Sequence, residues 1–172
     1  MSPHTPPTIE TSRLLLRRWS RDDLKAHARM CADPEAMRYI GDGSTFNSGQ
    51  SWREVAMHIG HWALRGYGQW ALERRDDGAW VGQAGFWNPP GWPGLEVGWR
   101  LAREVWANGY ATEAGQAAIE WAWRTLDASE LISVIQPENA ASIRVAERLG
   151  MHHLRESTVK GQEVVIFGID RP

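Results

Sequence analysis

One cysteine, Cys31, is all that this chain of 172 residues carries, so no intrachain disulfide and no thiolate zinc cluster can be assembled from it. That suits a reducing compartment. No apolar run approaches the roughly 20 residues that a bilayer-spanning helix needs, and the opening MSPHTPPTIETSR lacks the apolar core of a signal peptide. The expectation is a cytoplasmic protein with no membrane partner. Net charge is nearly absent as well. The 19 basic and 21 acidic residues leave −2, so no global positive field draws nucleic acid or anionic lipid. Any anionic ligand has to be held locally. No internal repeat and no linker divides the sequence, which reads as one domain over residues 1–172, of a size that supports a single core.

What is present is an interleaved pattern of 42% hydrophobic and 23% charged residues, which excludes disorder and fibrous repeats. Eleven tryptophans are available to fill a core or to line a groove. Leu14 to Leu16 reads as a first strand. Asp22 to Met30 and Pro34 to Arg38 read as short helices broken at Asp33-Pro34. Ser48 to Leu64 carries Trp52, Val55, Ile59, Trp62 and Ala63 at helical spacing, closed by Gly66 and Gly68; one face of that helix should pack inward. Strands follow at Gln69 to Glu73 and Trp80 to Trp87, joined by Asp76-Asp77-Gly78. The proline-rich NPPGWPG, Asn88 to Gly94, reads as a loop presenting Trp92.

Leu95 to Leu101 is the cleanest strand. Leu95, Val97, Trp99 and Leu101 fall on one face, and Glu96, Gly98 and Arg100 on the other. Thr112 to Leu126 and Asn139 to Leu149 read as helices, Leu131 to Ile135 as a buried strand, and Met151 to Val159 with Glu163 to Ile169 as a hairpin around Lys160-Gly161. This order predicts an α+β fold, a mixed, mainly antiparallel sheet of six to seven strands with helices on both faces.

The chemistry concentrates in Trp106 to Ala114, WANGYATEA. Ala107, Gly109 and Ala111 are small, and the first amides of the following helix have no intrahelical acceptor. A helix N-terminus approached so closely favours a phosphate. The alternative is an ordinary glycine-containing loop with Thr112 near the cap.

The strand LEVGWRL, the turn WANGYATEA, the strand LISVI and the segment NAASIRVAERLGM come in a fixed order, after an opening TSRLLLRRW. In these motifs the chain resembles the GNAT superfamily of N-acetyltransferases, in particular its ribosomal-protein N-terminal acetyltransferase-like (RimJ/RimL-like) branch, over roughly Thr11 to Ile169. The resemblance implies a central strand splayed from its neighbour to admit acetyl-CoA. It assigns the pyrophosphate to the amides of Ala107, Asn108, Gly109, Tyr110, Ala111 and Thr112. Trp106 stands where many relatives have glutamine or arginine. The backbone of Trp99 to Leu101 would pair with pantetheine, Asn139 would hydrogen-bond its arm, and Ser142 would lie near the thioester sulfur. Asparagine is also a strong N-cap and Ser142 a plain first-turn residue.

Acetyl transfer needs a neutral amine, a polarised carbonyl and a proton for the departing thiolate. Glu96 is the candidate base; the alternatives are that it orders substrate or pairs with Arg100 on the same face. A backbone amide between Gly98 and Arg100 could bind the carbonyl oxygen. Many relatives protonate the thiolate with a tyrosine after the Asn-containing helix, but Met151 to Val159 contains none, which leaves Ser142 as the candidate acid. His152 and His153 read as surface residues and Cys31 as structural. His58 and His61 lack the ligand pattern that would complete a metal site; no metal is expected. The expected function is acetyl-CoA-dependent transfer to a primary amine, on a protein N-terminus or a small molecule, by a monomer or homodimer. The competing readings are a non-catalytic acyl-CoA-binding module and a tryptophan-rich interaction domain.

Overall fold

The computed structural model describes residues 5–172; the first four residues of the opening segment read for a signal peptide lie outside the described residues. In chain order the elements are β1 (Ile9–Glu10), β2 (Leu14–Arg17), α1 (Asp23–Cys31), α2 (Pro34–Met37), α3 (Ser48–Arg65), β3 (Gln69–Arg74), β4 (Trp80–Trp87), β5 (Glu96–Leu101), a 3-10 turn (Arg103–Val105), α4 (Tyr110–Thr125), β6 (Glu130–Ile135), α5 (Ala140–Arg148), β7 (His152–Val159) and β8 (Gln162–Asp170).

They form one eight-stranded sheet in the order β1-β2-β3-β4-β5-β6-β8-β7. Every neighbouring pair is antiparallel except β5 and β6. The fold class is the expected α+β, with one strand beyond the expected six to seven. The addition is β1, only two residues long, pairing Ile9 with Leu16 and Glu10 with Leu15. A pair that short leaves no periodic trace in a sequence.

Side chains alternate across the sheet, and the two faces differ in character. Trp70 and Phe86 point to the side where Trp121 of α4 packs against both, and Leu149, after α5, fills the space beside Gly115 of α4. That face is apolar, and with its helices it makes the main core. On the opposite face Gln83 and Arg100 meet His58 and Glu54 of α3, and α1 joins them through His27, which lies against Glu54.

Helix α3 begins with a reciprocal cap between Asn47 and Gln50 and ends at Gly66, whose φ of 74° is the left-handed stop that glycine accepts without strain. Its inward face needs correcting. Trp52 and Ile59 are exposed, and the buried positions are Ser51, Val55, His58, His61 and Trp62. Gly68 is also no part of the cap: a Cβ there would come within 2.8 Å of Trp62. It lets the chain pass under that indole into β3. Among the described residues no helix is long and apolar enough to cross a membrane.

Candidate active site

The sheet opens at β5. On one side this strand pairs with β4 along its whole length, from Gly82 opposite Leu101 to Trp87 opposite Glu96. On the other it meets β6 at a single position, Glu96 opposite Ile132, where the Ile132 amide donates to the Leu95 carbonyl at 3.0 Å. Beyond it side chains replace the ladder. The Ser133 hydroxyl donates to the Val97 carbonyl at 2.6 Å, and the Val134 amide donates to Glu96 Oε1 at 3.3 Å. The divergence of LISVI from LEVGWRL is therefore present, with Ser133 at the fork.

Carbonyls two residues apart point to the same strand edge. Val97 thus shares its edge with Trp99 and Leu101, and this edge faces the gap. The Leu101 carbonyl already accepts the indole N–H of Trp106 at 2.9 Å. Trp106, largely exposed, ties the end of β5 to the turn that follows.

That turn has an unusual backbone. Ala107 has φ 61° and Gly109 φ 80°, two left-handed residues that let the chain double back before α4. Gly109 is the N-cap and supplies no side chain, so no side-chain bond caps the helix. The first intrahelical bond runs from the Glu113 amide to the Gly109 carbonyl at 3.1 Å, which leaves the amides of Tyr110, Ala111 and Thr112 without acceptors inside the helix. Thr112 is the third residue of α4, in its first turn, and the cap itself is Gly109. Asn108 Nδ2 donates back to the Val105 and Trp106 carbonyls, both at 3.0 Å, tying down the acceptors behind the turn. A Cβ on Gly109 would find Arg13 at 3.5 Å as its nearest neighbour.

The turn is anchored from the connection between β1 and β2. Glu113 Oε1 accepts from the Thr11 hydroxyl (2.6 Å), the Ser12 hydroxyl (3.1 Å) and the Arg13 amide (2.8 Å). Its other oxygen takes the Arg13 guanidinium. Burial works against ionisation of Glu113, but these donors hold its carboxyl below the usual range. Arg13 also donates to the Asn108 carbonyl at 2.8 Å and lies over the Tyr110 ring. The link spans a hundred residues and went unnoticed in the sequence, although Glu113 sits inside WANGYATEA.

Glu96 stands where β5 and β6 part. Trp92 Nε1–H donates to its Oε2 at 2.7 Å, while Oε1 faces the Val134 amide. A Cβ on Gly98 would lie in ordinary contact with Glu96 Oε1 at 3.6 Å and Gln69 Nε2 at 3.7 Å, which places the carboxyl beside the Gly98 backbone. Burial pushes the carboxyl up to about 7, against the two hydrogen bonds that favour its charged form. It does not pair with Arg100, which turns to Glu54 at 2.5 Å. A carboxyl that titrates near neutrality is suited to taking and returning a proton.

Asn139 caps α5, its Oδ1 accepting the Ser142 amide at 3.2 Å. That bond occupies one side of the amide and leaves Nδ2 to donate elsewhere. Ser142, half-buried in the first turn of α5, has its hydroxyl outside this cap.

Residues 13–152 match the acetyltransferase (GNAT) domain family. The chain belongs to this family. It is 31% identical to the uncharacterized protein YkkB of Bacillus subtilis, over 92% of this chain and 93% of that one. It is 29% identical to the uncharacterized N-acetyltransferase YnaD of the same organism, over 90% of each. The crystal structure of an acetyltransferase from Agrobacterium tumefaciens superposes with a TM-score of 0.86 at 29% identity, covering 96% of this chain and 95% of that one. The protein is thus an N-acetyltransferase of the GNAT family.

Several groups in this acetyltransferase stand apart from the fork. On the α1/α3 face His27 Nε2 lies 3.0 Å from Glu54 Oε2, its Nδ1 lies 2.7 Å from Ser51 Oγ, and Gln83 Nε2 lies 3.0 Å from His58 Nε2. The ligand atoms of His27, Cys31 and Glu54 fall within 4.8 Å of one another, a cluster the sequence did not suggest. The Glu54 oxygen at its centre already takes Arg100, whose charge opposes a cation there. Burial raises the Cys31 thiol to about 11, consistent with a structural role. His61 instead reaches the Tyr67 carbonyl and the Asn88 amide, and His152 and His153 are exposed on β7.

Proposed function

We propose that the chain transfers an acetyl group from acetyl-CoA directly to a primary amine, carried by a protein N-terminus or a small molecule. The observation that carries this reading is the meeting of three features: a helix N-terminus without a side-chain cap, a strand edge freed by the β5–β6 fork, and a carboxyl with a near-neutral pKa at the fork itself. Acetyl-CoA is the acetyl donor of the family and supplies the thioester when bound. The small residues and left-handed turns of Ala107 to Thr112 suit close approach of a pyrophosphate to their amides. The edge of Trp99 to Leu101 suits the amide groups of pantetheine, with the Leu101 carbonyl passing from Trp106 to the ligand. Asn139 Nδ2 is the donor to the same arm.

Glu96 takes the proton of the ammonium, so that a neutral amine attacks. The N–C bond forms as the C–S bond breaks, and an amide in the Gly98 to Arg100 stretch stabilises the oxygen. Ser142 is the proton source for the departing thiolate and takes up in return the second proton that the nitrogen sheds as the amide forms, so the hydroxyl is restored. Thermal stability with and without acetyl-CoA, followed by release of free CoA over a panel of amines and peptide N-termini, tests the scheme. Stabilisation by the donor and turnover on at least one acceptor are expected. Gly109→Val should weaken donor binding at least tenfold by blocking the approach of phosphate; unchanged affinity would refute the placement of the turn. Stabilisation without turnover on any acceptor would favour a binding module instead.

A further inference from the structure

We infer that Trp92 is a positioning residue that fixes the Glu96 carboxylate through its indole N–H, held in place by the tip of the β7–β8 hairpin. The inference rests on the reading of Glu96 as the base.

Trp92 belongs to Asn88 to Gly94, a loop outside every motif that relates the chain to its family. Three prolines stiffen it, and the Trp92 amide donates to the Pro89 carbonyl at 3.0 Å. At its far end a Cβ on Gly94 would touch Ile132 at 3.0 Å, so the loop re-enters the sheet directly against β6, at the residue paired with Glu96. Its conformation aims the edge of the indole inward, where Nε1–H meets Glu96 Oε2 at 2.7 Å. The face of the same ring carries Lys160, with Nζ 5.4 Å from the ring centroid, a distance at which an ammonium is attracted to the aromatic face. Lys160 sits in the turn between β7 and β8 with φ 48°.

Of the donors to the carboxyl, the Val134 amide is the longer at 3.3 Å; the indole is the shorter and comes from a side chain. Opposing burial, it favours the charged form that accepts a proton. It also keeps Oε2 engaged, which leaves Oε1, held only by the longer Val134 contact, as the oxygen that turns to an amine.

Trp92→Phe keeps an aromatic face for Lys160 but removes the N–H together with part of the indole, so Trp92→His, a small ring that carries an N–H, is the variant that separates the hydrogen bond from packing. Two readouts are taken on the full chain: the Glu96 carboxyl titration by carbon-detected NMR, and the acid limb of kcat/KM against pH. Both should move upward by about one to two pH units, the size of a hydrogen bond to a charged group. At pH 6.5 kcat/KM falls by roughly tenfold or more, with KM for acetyl-CoA unchanged. Trp92→His, which restores an N–H donor, should recover part of the shift. An unmoved Glu96 titration in Trp92→Phe overturns the inference. So does a moved titration with an unmoved acid limb. Glu96→Gln with native kcat would instead overturn the reading of Glu96 as base, and the role of Trp92 in catalysis with it. Loss of activity in Glu96→Gln together with an unmoved titration in Trp92→Phe overturns the inference alone.

Discussion

Glu96 illustrates what a single residue gains and loses from its place in the fold. Its carboxyl is pushed from 4.5 to about 7 by burial. Between those values the folded chain keeps a proton that the unfolded chain releases. The contribution to stability is therefore complete below about 4.5 and is lost as pH rises through 7. Glu96→Gln carries no charge at any pH and should escape that loss. Its melting temperature relative to the native chain is expected to be higher at pH 8 than at pH 4 by on the order of 10 °C, from roughly 3 kcal/mol at about 2–4 °C per kcal/mol for a domain of this size. The cost of turning an amide NH2 toward a donor is the same at both pH values and cancels in the comparison. Thermal melts at the two values check it; an equal offset at both would mean that burial does not govern this carboxyl. Such a residue weakens the fold at the pH where it is useful. The strict alternation of LEVGWRL made Glu96 legible, since only one face of that strand is polar. Trp92, Val134 and Ser133 were not legible. Their relation to Glu96 depends on a loop conformation and on the register across a fork, and neither leaves a periodic mark.

At the scale of elements, the turn before α4 was readable because its chemistry is local: small residues, then a helix start. Its strain was not. Ala107 holds φ 61°, a conformation that costs a residue with a Cβ about 1–2 kcal/mol. Ala107→Gly should relieve that cost, partly offset by the extra freedom glycine gives the unfolded chain. A net gain of about 0.5–1 kcal/mol in urea unfolding is expected, with acetyl-CoA affinity retained. A loss of stability would show that the Ala107 methyl makes a contact that outweighs the strain. Helix α3 shows the opposite failure. Its span was evident as Ser48 to Leu64, yet of the residues read at helical spacing only Val55 and Trp62 are buried, and Trp52, Ile59 and Ala63 are exposed. Hydrophobic periodicity locates the buried side only when the layer beneath is apolar. Here α3 rests on Gln83 and Arg100, so the side chains it turns inward include Ser51, Glu54 and His58.

Across the whole molecule the sheet separates two environments. The apolar layer under α4 carries most of the burial, and the polar layer under α1 and α3 makes stability depend on pH. Burial disfavours the charged form of Glu54, but His27 and Arg100 overrule it and hold the carboxyl well below its usual 4.5. This contribution is present above 4.5 and is lost as pH falls. His58 moves the same way for a different reason: burial lowers it from 6.5 to about 3, only partly opposed by Glu54, so the unfolded chain takes up a proton that the folded chain refuses. Both groups make the fold weaken as the solution is acidified, His58 from about 6.5 and Glu54 from about 4.5. Glu54→Gln leaves Arg100 charged in the interior without its counter-ion and should cost about 3–5 kcal/mol at pH 7. It should also flatten the fall of stability below pH 4.5. His58→Gln keeps a side chain able to bond Gln83 and removes the loss that begins at 6.5; because Glu96 gains stability over the same range, the variant should grow more stable from pH 6.5 to 4.5 where the two groups offset one another in the native chain. Urea unfolding at pH 7, 5.5 and 4 separates the two, since the change between pH 7 and 5.5 is altered by the His58 variant and Glu54 adds its share only below about 4.5. If both variants retained the native slope, the acid sensitivity would belong to surface carboxylates. The buried polar layer would then be a neutral packing solution rather than the part of the fold that fails first in acid.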